Sequence, residues 1–107
     1  MPSLTELGSA VGVLLKEKGQ TVAVAESSTG GLVCAALRSL PGASAYFVGG
    51  GVIYTQQARA VLAAIESEEM AGMRASTEPY ALLLARRTRE RLGTTWGLAE
   101  TGATGPT

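Results

Sequence analysis

Thr21-Val-Ala-Val-Ala-Glu-Ser-Ser-Thr-Gly-Gly-Leu-Val-Cys-Ala-Ala-Leu37 reads as strand, turn and helix. Residues 21–25 form a short β-branched run, residues 26–31 are small and polar, and residues 32–37 resume as an apolar helical stretch. A strand that enters a helix through such a turn places hydroxyls and backbone N–H groups at a helix N-terminus, which is a ready anion or oxyanion site. The same residues would serve equally as an ordinary strand-to-helix loop with good N-caps.

Upstream, Ser3-Leu4-Thr5-Glu6 has the capping-box pattern. Leu4, Leu7, Val11, Leu14 and Leu15 follow at helical spacing, and Gly19 supplies a stop, so an amphipathic helix is expected over residues 4–18. Downstream, a helix over 29–40 ends at Pro41-Gly42, and residues 46–55 read as a second strand. Gly49-Gly50-Gly51 within it suggests a bulge or a close backbone approach; it lacks the lysine and hydroxyl of a phosphate loop. Residues 56–65 read as a short helix and 66–75 as a helical turn plus loop. Thr77-Glu78-Pro79 starts a helix that Gly93 ends. Tyr80, Leu83, Leu84 and Thr88 mark its buried side, and Arg86, Arg87, Arg89 and Arg91 its solvated side. Residues 94–100 form a third strand, followed by a glycine- and threonine-rich turn over 101–107.

The 107 residues suffice for one domain, 1–107, and 46% hydrophobic with 17% charged residues is a globular composition. Nine basic and nine acidic residues give zero formal charge, so no basic field is expected to attract nucleic acid or anionic membrane. No apolar run approaches the length of about 18 residues that reads as a membrane span. Met1-Pro2-Ser3 does not open a signal peptide, so a cytoplasmic location is expected. Cys34 is the single cysteine and histidine is absent, which leaves no Cys/His metal cluster and no Ser-His or Cys-His catalysis. Cys34 on an apolar helix face reads as a core thiol. A glycine-rich turn directly after a strand normally feeds another element. The expectation is therefore a piece of a longer protein, or a sheet edge covered by another chain.

Several segments together resemble one family. Ala25-Glu26-Ser27-Ser28-Thr29-Gly30-Gly31 is similar to the A-E-S-[CS]-T-G-G motif of the CinA C-terminal domain family, the nicotinamide-nucleotide amidohydrolases. Pro41-Gly42-Ala43-Ser44-Ala45-Tyr46-Phe47 resembles its P-G-[SA]-S-x-x-F segment, and Gly51-Val52-Ile53-Tyr54-Thr55-Gln56-Gln57-Ala58-Arg59 its G-x-V-x-Y-[ST]-N-x-x-K segment. Ser76-Thr77-Glu78-Pro79 resembles V-S-E-P, and Thr101-Gly102-Ala103-Thr104-Gly105-Pro106 resembles T-G-I-A-G-P. Order and spacing agree over residues 4–106, the N-terminal two thirds of the family domain.

The resemblance implies an α/β fold, a three-layer α/β/α sandwich with a mixed sheet whose C-terminal part is missing here. It implies hydrolysis of the carboxamide of nicotinamide mononucleotide to nicotinate mononucleotide and ammonia, with no metal and no cofactor. Ser27 falls on the family's nucleophilic serine, Tyr54 on its active-site tyrosine and Thr101 on the threonine of the glycine-rich turn. Glu26, Thr29, Gly30, Gly31, Gly102 and Gly105 would shape and bind the substrate. N–H groups near Thr29, Gly30 and Gly31 could hold the oxyanion. The expected partner is a small-molecule nucleotide, and a homo-oligomer is expected.

One departure bears on mechanism. Arg59 stands where the family has its basic lysine, and the only lysines are Lys16 and Lys18 in the first helix. A lysine can be desolvated into a base, whereas arginine stays charged in proteins. Two readings follow: an amidohydrolase in which Arg59 binds phosphate or steadies charge, and a nucleotide-binding or interaction domain without turnover. Milder departures are Gln56 for asparagine, Ser28 for cysteine and Thr77 for serine.

Overall fold

The computed structural model describes residues 2–102. Its elements are α1 (Leu4–Lys18), β1 (Val22–Glu26), α2 (Leu32–Arg38), β2 (Phe47–Val52), α3 (Gln56–Leu62), α4 (Glu78–Leu92) and β3 (Trp96–Ala99), with 3₁₀ turns at Ala43–Ala45 and Ser67–Met70. Local signals set several boundaries. Ser3 and Glu6 close a capping box on α1, and Gly19 ends it in the left-handed region at φ 63°. Thr77 caps α4, Pro79 sits in its first turn, and Gly93 ends it at φ 65°. The helix expected from residue 29 begins at Leu32 instead, because Gly30 and Gly31 both take positive φ and belong to the turn.

The sheet order is β2-β1-β3, and both pairings are parallel. Helices carry each connection from one strand to the next, so the chain re-enters the sheet from the same end. The antiparallel member that a mixed sheet requires is not among the described strands. Val22 and Val24 face one layer and pack with Leu15, Leu37, Ala43 and Tyr46. Ala25 faces the other and packs with Ile53, Ala63, Ile65, Tyr80 and Leu84. Helices α1 and α2 therefore cover one face and α3 and α4 the other, the three-layer arrangement expected of an α/β fold. Every residue of β1 is buried, as befits a central strand covered on both sides.

Glycines set how closely the elements approach one another. A Cβ on Gly50 would stand 2.5 Å from Cys34 Sγ and 2.7 Å from the Val24 carbonyl oxygen. The triple glycine thus marks a close backbone approach, and the β1–β2 register also shifts between Val22 and Ala23, leaving Val48 as the extra residue. On α1 the buried residues are Gly8, Gly12 and Leu15. Of the five apolar residues at helical spacing only Leu15 is buried; Leu4, Leu7, Val11 and Leu14 are 47%, 50%, 45% and 54% exposed. The reason is steric. Gly8 lies against the Ala36 backbone and Gly12 against the Tyr46 ring, so the contact line runs through the glycines and the leucines flank it. Leu4, Leu7 and Val11 border a groove of about 170 Å³ with Val33, Leu37 and Leu98.

Arg87 also departs from expectation. It pairs with Glu69 and donates to the Ala64 carbonyl, pinning the loop before α4 rather than facing solvent.

At Gly97 the backbones of β3 and α4 meet, because an added Cβ would collide with the Ala85 carbonyl oxygen and lie 2.9 Å from Arg89 Cβ. Gly97→Ala is expected to destabilise the fold by about 1–3 kcal/mol in urea unfolding. Gly49→Ala, whose Cβ would meet only Leu92 Cδ1 at 3.7 Å, serves as the tolerated control. Equal midpoints for the two variants would refute this account of the interlayer packing.

Candidate active site

Parallel strands bring their carboxyl ends to one edge of the sheet. The residues after β1, β2 and β3 are therefore neighbours there: 27–31, 53–55 and 100–102. From β1 the chain crosses over one face to β2, and from β2 over the other face to β3. The carboxyl end of β1 therefore lies at a topological switch point, where open α/β sheets bind ligands.

Glu26 ends β1 and is 0% exposed. Its Oε1 accepts the N–H groups of Gly31 (3.1 Å) and Val33 (3.0 Å) and the Thr29 hydroxyl (2.6 Å), and its Oε2 accepts the Cys34 N–H (2.8 Å). Burial pushes the Glu26 pKa up, but hydrogen bonds from Cys34, Thr29 and Val33 outweigh it and bring the group down to about 2. The Cys34 thiol is pushed up to about 12 by burial, by its hydrogen bond to Glu26 and by that charge. It is an inert thiol, as expected of a core position.

A second carboxylate, Glu100, follows β3. Its Oε1 accepts the N–H groups of Ser27 (2.9 Å) and Thr29 (3.0 Å), and its Oε2 accepts the Ser28 hydroxyl. The Thr29 hydroxyl lies 2.7 Å from Glu100 Oε1 as well as against Glu26. Having one proton, it donates to one carboxylate at a time. Burial raises the Glu100 pKa, and bonds from the Ser28 and Thr29 hydroxyls and the Thr29 and Ser27 N–H groups bring it down to about 2. Sequence reasoning missed Glu100. The available signal was an acid placed between a strand and a glycine-rich turn, opposite a run of three hydroxyl residues.

Ser27 is half-buried, and its hydroxyl donates to the Ile53 carbonyl at 2.8 Å. Ile53 in turn donates its N–H to the Glu26 carbonyl at 2.6 Å. Tyr54 stands next along the chain and is 64% exposed. The Thr101 hydroxyl accepts the Ser76 N–H at 3.1 Å. A Cβ on Gly102 would lie 2.9 Å from Ser28 Oγ, so this glycine abuts the serine turn. Gly105 lies outside the described residues. The turn thus gathers Glu26, Ser27, Thr29, Gly31 and Gly102.

Arg59 is held elsewhere. Its Nε donates to the Tyr80 hydroxyl at 3.3 Å, and its guanidinium carbon lies 4.9 Å from the centre of that ring. These contacts tie it to α4, and none of them reaches Ser27.

The backbone donors of the turn are also engaged. Gly31 N–H serves Glu26, Thr29 N–H serves Glu100, and Gly30 N–H donates to the Ser27 carbonyl at 3.2 Å. The anion at this helix entry is the protein's own Glu26, and an oxyanion held by Thr29, Gly30 and Gly31 would have to displace these bonds. A groove of about 340 Å³ runs between β2, α3 and α4 as far as Ala25 and Ile53, with Gly51, Leu62, Thr88 and Arg91 on its walls. Among the described residues, no group of three or more His, Cys, Asp or Glu is placed to hold a metal, and no helix is long and apolar enough to cross a membrane.

Residues 4–107 match the CinA C-terminal domain family. A CinA-like protein of Synechocystis sp. is 46% identical over 100 residues, covering 94% of this chain and 24% of that protein. The chain spans about a quarter of the length of the curated relatives it matches. The crystal structure of competence/damage inducible protein CihA from Agrobacterium tumefaciens superposes with a TM-score of 0.83 at 30% identity, over 100% of this chain and 66% of that one. Competence damage-inducible protein A from Klebsiella pneumoniae gives 0.86 at 25% identity, over 99% and 66%.

A carboxylate whose pKa falls on folding binds its proton more tightly in the unfolded chain. Its stabilising contribution is complete above the unfolded value of 4.5 and is lost as pH falls through about 2. For the fully buried Glu26 this amounts to about 3 kcal/mol. Unfolding free energy should therefore decline steadily from pH 5 toward pH 2, and Glu26→Gln should flatten that decline while lowering stability at pH 7. A Glu26→Gln profile parallel to wild type would contradict the assignment.

Proposed function

Because the chain belongs to the CinA C-terminal domain family, we propose that it carries the serine turn of an amidohydrolase acting on the carboxamide of nicotinamide mononucleotide. The supporting observation is the placement of Ser27. It sits at the switch point of the sheet, on a turn tied to all three strand ends, with its hydroxyl aimed by the Ile53 carbonyl. A serine anchored on Ile53, a residue that also lines the groove between β2, α3 and α4, suits attack on a bound amide carbonyl. Attack forms an acyl-serine bond, the amide C–N bond breaks, and the nitrogen leaves as ammonia. Water then hydrolyses the ester to release nicotinate mononucleotide.

The proton on Ser27 needs a route that avoids Arg59, since a guanidinium does not accept protons at working pH. In this proposal Tyr54 or a water relays it, and Thr101 lines the same edge. Arg59 contributes positive charge toward the substrate phosphate after exchanging its Tyr80 contact.

The Arg59–Tyr80 contact also favours a second reading, a nucleotide-binding domain without turnover.

Ammonia release from nicotinamide mononucleotide, measured on wild type, Ser27→Ala and Arg59→Lys, separates the two readings. The amidohydrolase reading expects wild-type activity that Ser27→Ala abolishes. It also expects Arg59→Lys to raise the rate by up to about 10²–10⁴-fold, the usual contribution of a general base. A silent wild type that gains activity only as Arg59→Lys would establish the binding domain instead.

A further inference from the structure

We propose that Glu100 is the positioning residue for Ser27, an inference that rests on the amidohydrolase reading for its catalytic part. Glu100 lies 73 residues from Ser27 in sequence, yet its carboxylate binds three consecutive residues of the serine turn. One oxygen takes the Ser27 and Thr29 N–H groups and the other takes the Ser28 hydroxyl, so both oxygens are used. The carboxylate is itself anchored. The Glu100 N–H donates to the Ala25 carbonyl at 3.0 Å, extending the β1–β3 ladder by one bond. The turn therefore hangs on a side chain whose backbone belongs to the sheet.

The geometry assigns separate tasks to the two acids. Glu26 faces the helix side and takes N–H groups of Gly31, Val33 and Cys34. Glu100 faces the serine side and takes those of Ser27 and Thr29. Glu26 fixes where α2 begins, whereas Glu100 fixes the peptide plane that carries Ser27, and with it the line from Ser27 Oγ to the Ile53 carbonyl. With Glu100 gone, Ser27 could rotate without disturbing α2. Misplacing a reacting group by about 1 Å can lower the rate about a hundredfold.

The test compares wild type, Glu100→Gln and Glu100→Ala. Two readouts are taken: residue-resolved amide hydrogen exchange by NMR, and kcat and KM for ammonia release from nicotinamide mononucleotide. Glutamine keeps an acceptor for the two N–H groups and can donate to the Ser28 hydroxyl, so it guards against a variant that fails to fold. The expected result is exchange at Ser27 and Thr29 at least about tenfold faster in Glu100→Ala, with Val24 and Ala25 unchanged and Glu100→Gln near wild type. Turnover should fall about a hundredfold in Glu100→Ala with KM little altered, and glutamine should restore most of it. Unchanged exchange at Ser27 and Thr29 overturns the proposal whatever the activity. Faster exchange with unchanged kcat also overturns it, leaving Glu100 a structural clip. If the wild type releases no ammonia, the amidohydrolase reading fails on its own, and the exchange data still decide whether Glu100 holds Ser27.

Discussion

A single buried carboxylate organises this domain. Glu26 sits at the end of the central strand, inaccessible to water, and an unpaired charge there would cost several kcal/mol. It is stable because the first turn of α2 points its N–H groups at it and Thr29 adds a hydroxyl. The dependence is mutual. Helix α2 has seven residues, fewer than an isolated helix needs, and Gly31 at its N-cap supplies no side-chain bond. Glu26 does the work of that missing cap from the preceding strand. Strand, turn and helix are thereby locked as one unit, and α2 can approach the sheet closely enough that Gly50 has no room for a side chain.

From that unit the order spreads outward. The Glu26 carbonyl takes the Ile53 N–H, which fixes the exit of β2, and the Ile53 carbonyl takes the Ser27 hydroxyl. The third strand arrives through Glu100. The loops that follow three separate strands are thus cross-linked by hydrogen bonds around one serine. This cross-linking distinguishes the turn from an ordinary strand-to-helix connection, and it also explains why the helix entry offers no vacant donors at Gly31 or Thr29.

What could be read from the sequence was what short-range chemistry fixes. The ends of α1 follow from Ser3, Glu6 and Gly19, and those of α4 from Thr77, Pro79 and Gly93, because each cap lies within a few residues of what it satisfies. The strand of β-branched and small residues before Ser27 was legible for the same reason, and the family motifs marked the turn itself. The hidden parts depend on partners far along the chain. The contact line of α1 is hidden because glycines carry no hydrophobic signal, and only the position of Ala36 and Tyr46 makes Gly8 and Gly12 part of it. Arg87 looked solvated until Glu69 and Ala64 came beneath it. Glu100 escaped notice because its partners precede it by more than seventy residues.

At the opposite, amino-terminal edge of the sheet, β1 and β3 are joined by reciprocal bonds between Thr21 and Thr95, and the Trp96 indole N–H donates to Gln20 at 2.9 Å. Trp96 is the single tryptophan and is 55% exposed. Beside three tyrosines, these 107 residues therefore carry one indole fluorophore, placed at the end of the sheet remote from the serine turn. Its emission reports whether the β1–β3 seam is closed. The serine turn lies at the far edge, so emission excited selectively from tryptophan measures the integrity of the scaffold, and any report on the serine edge must come from Tyr54 instead.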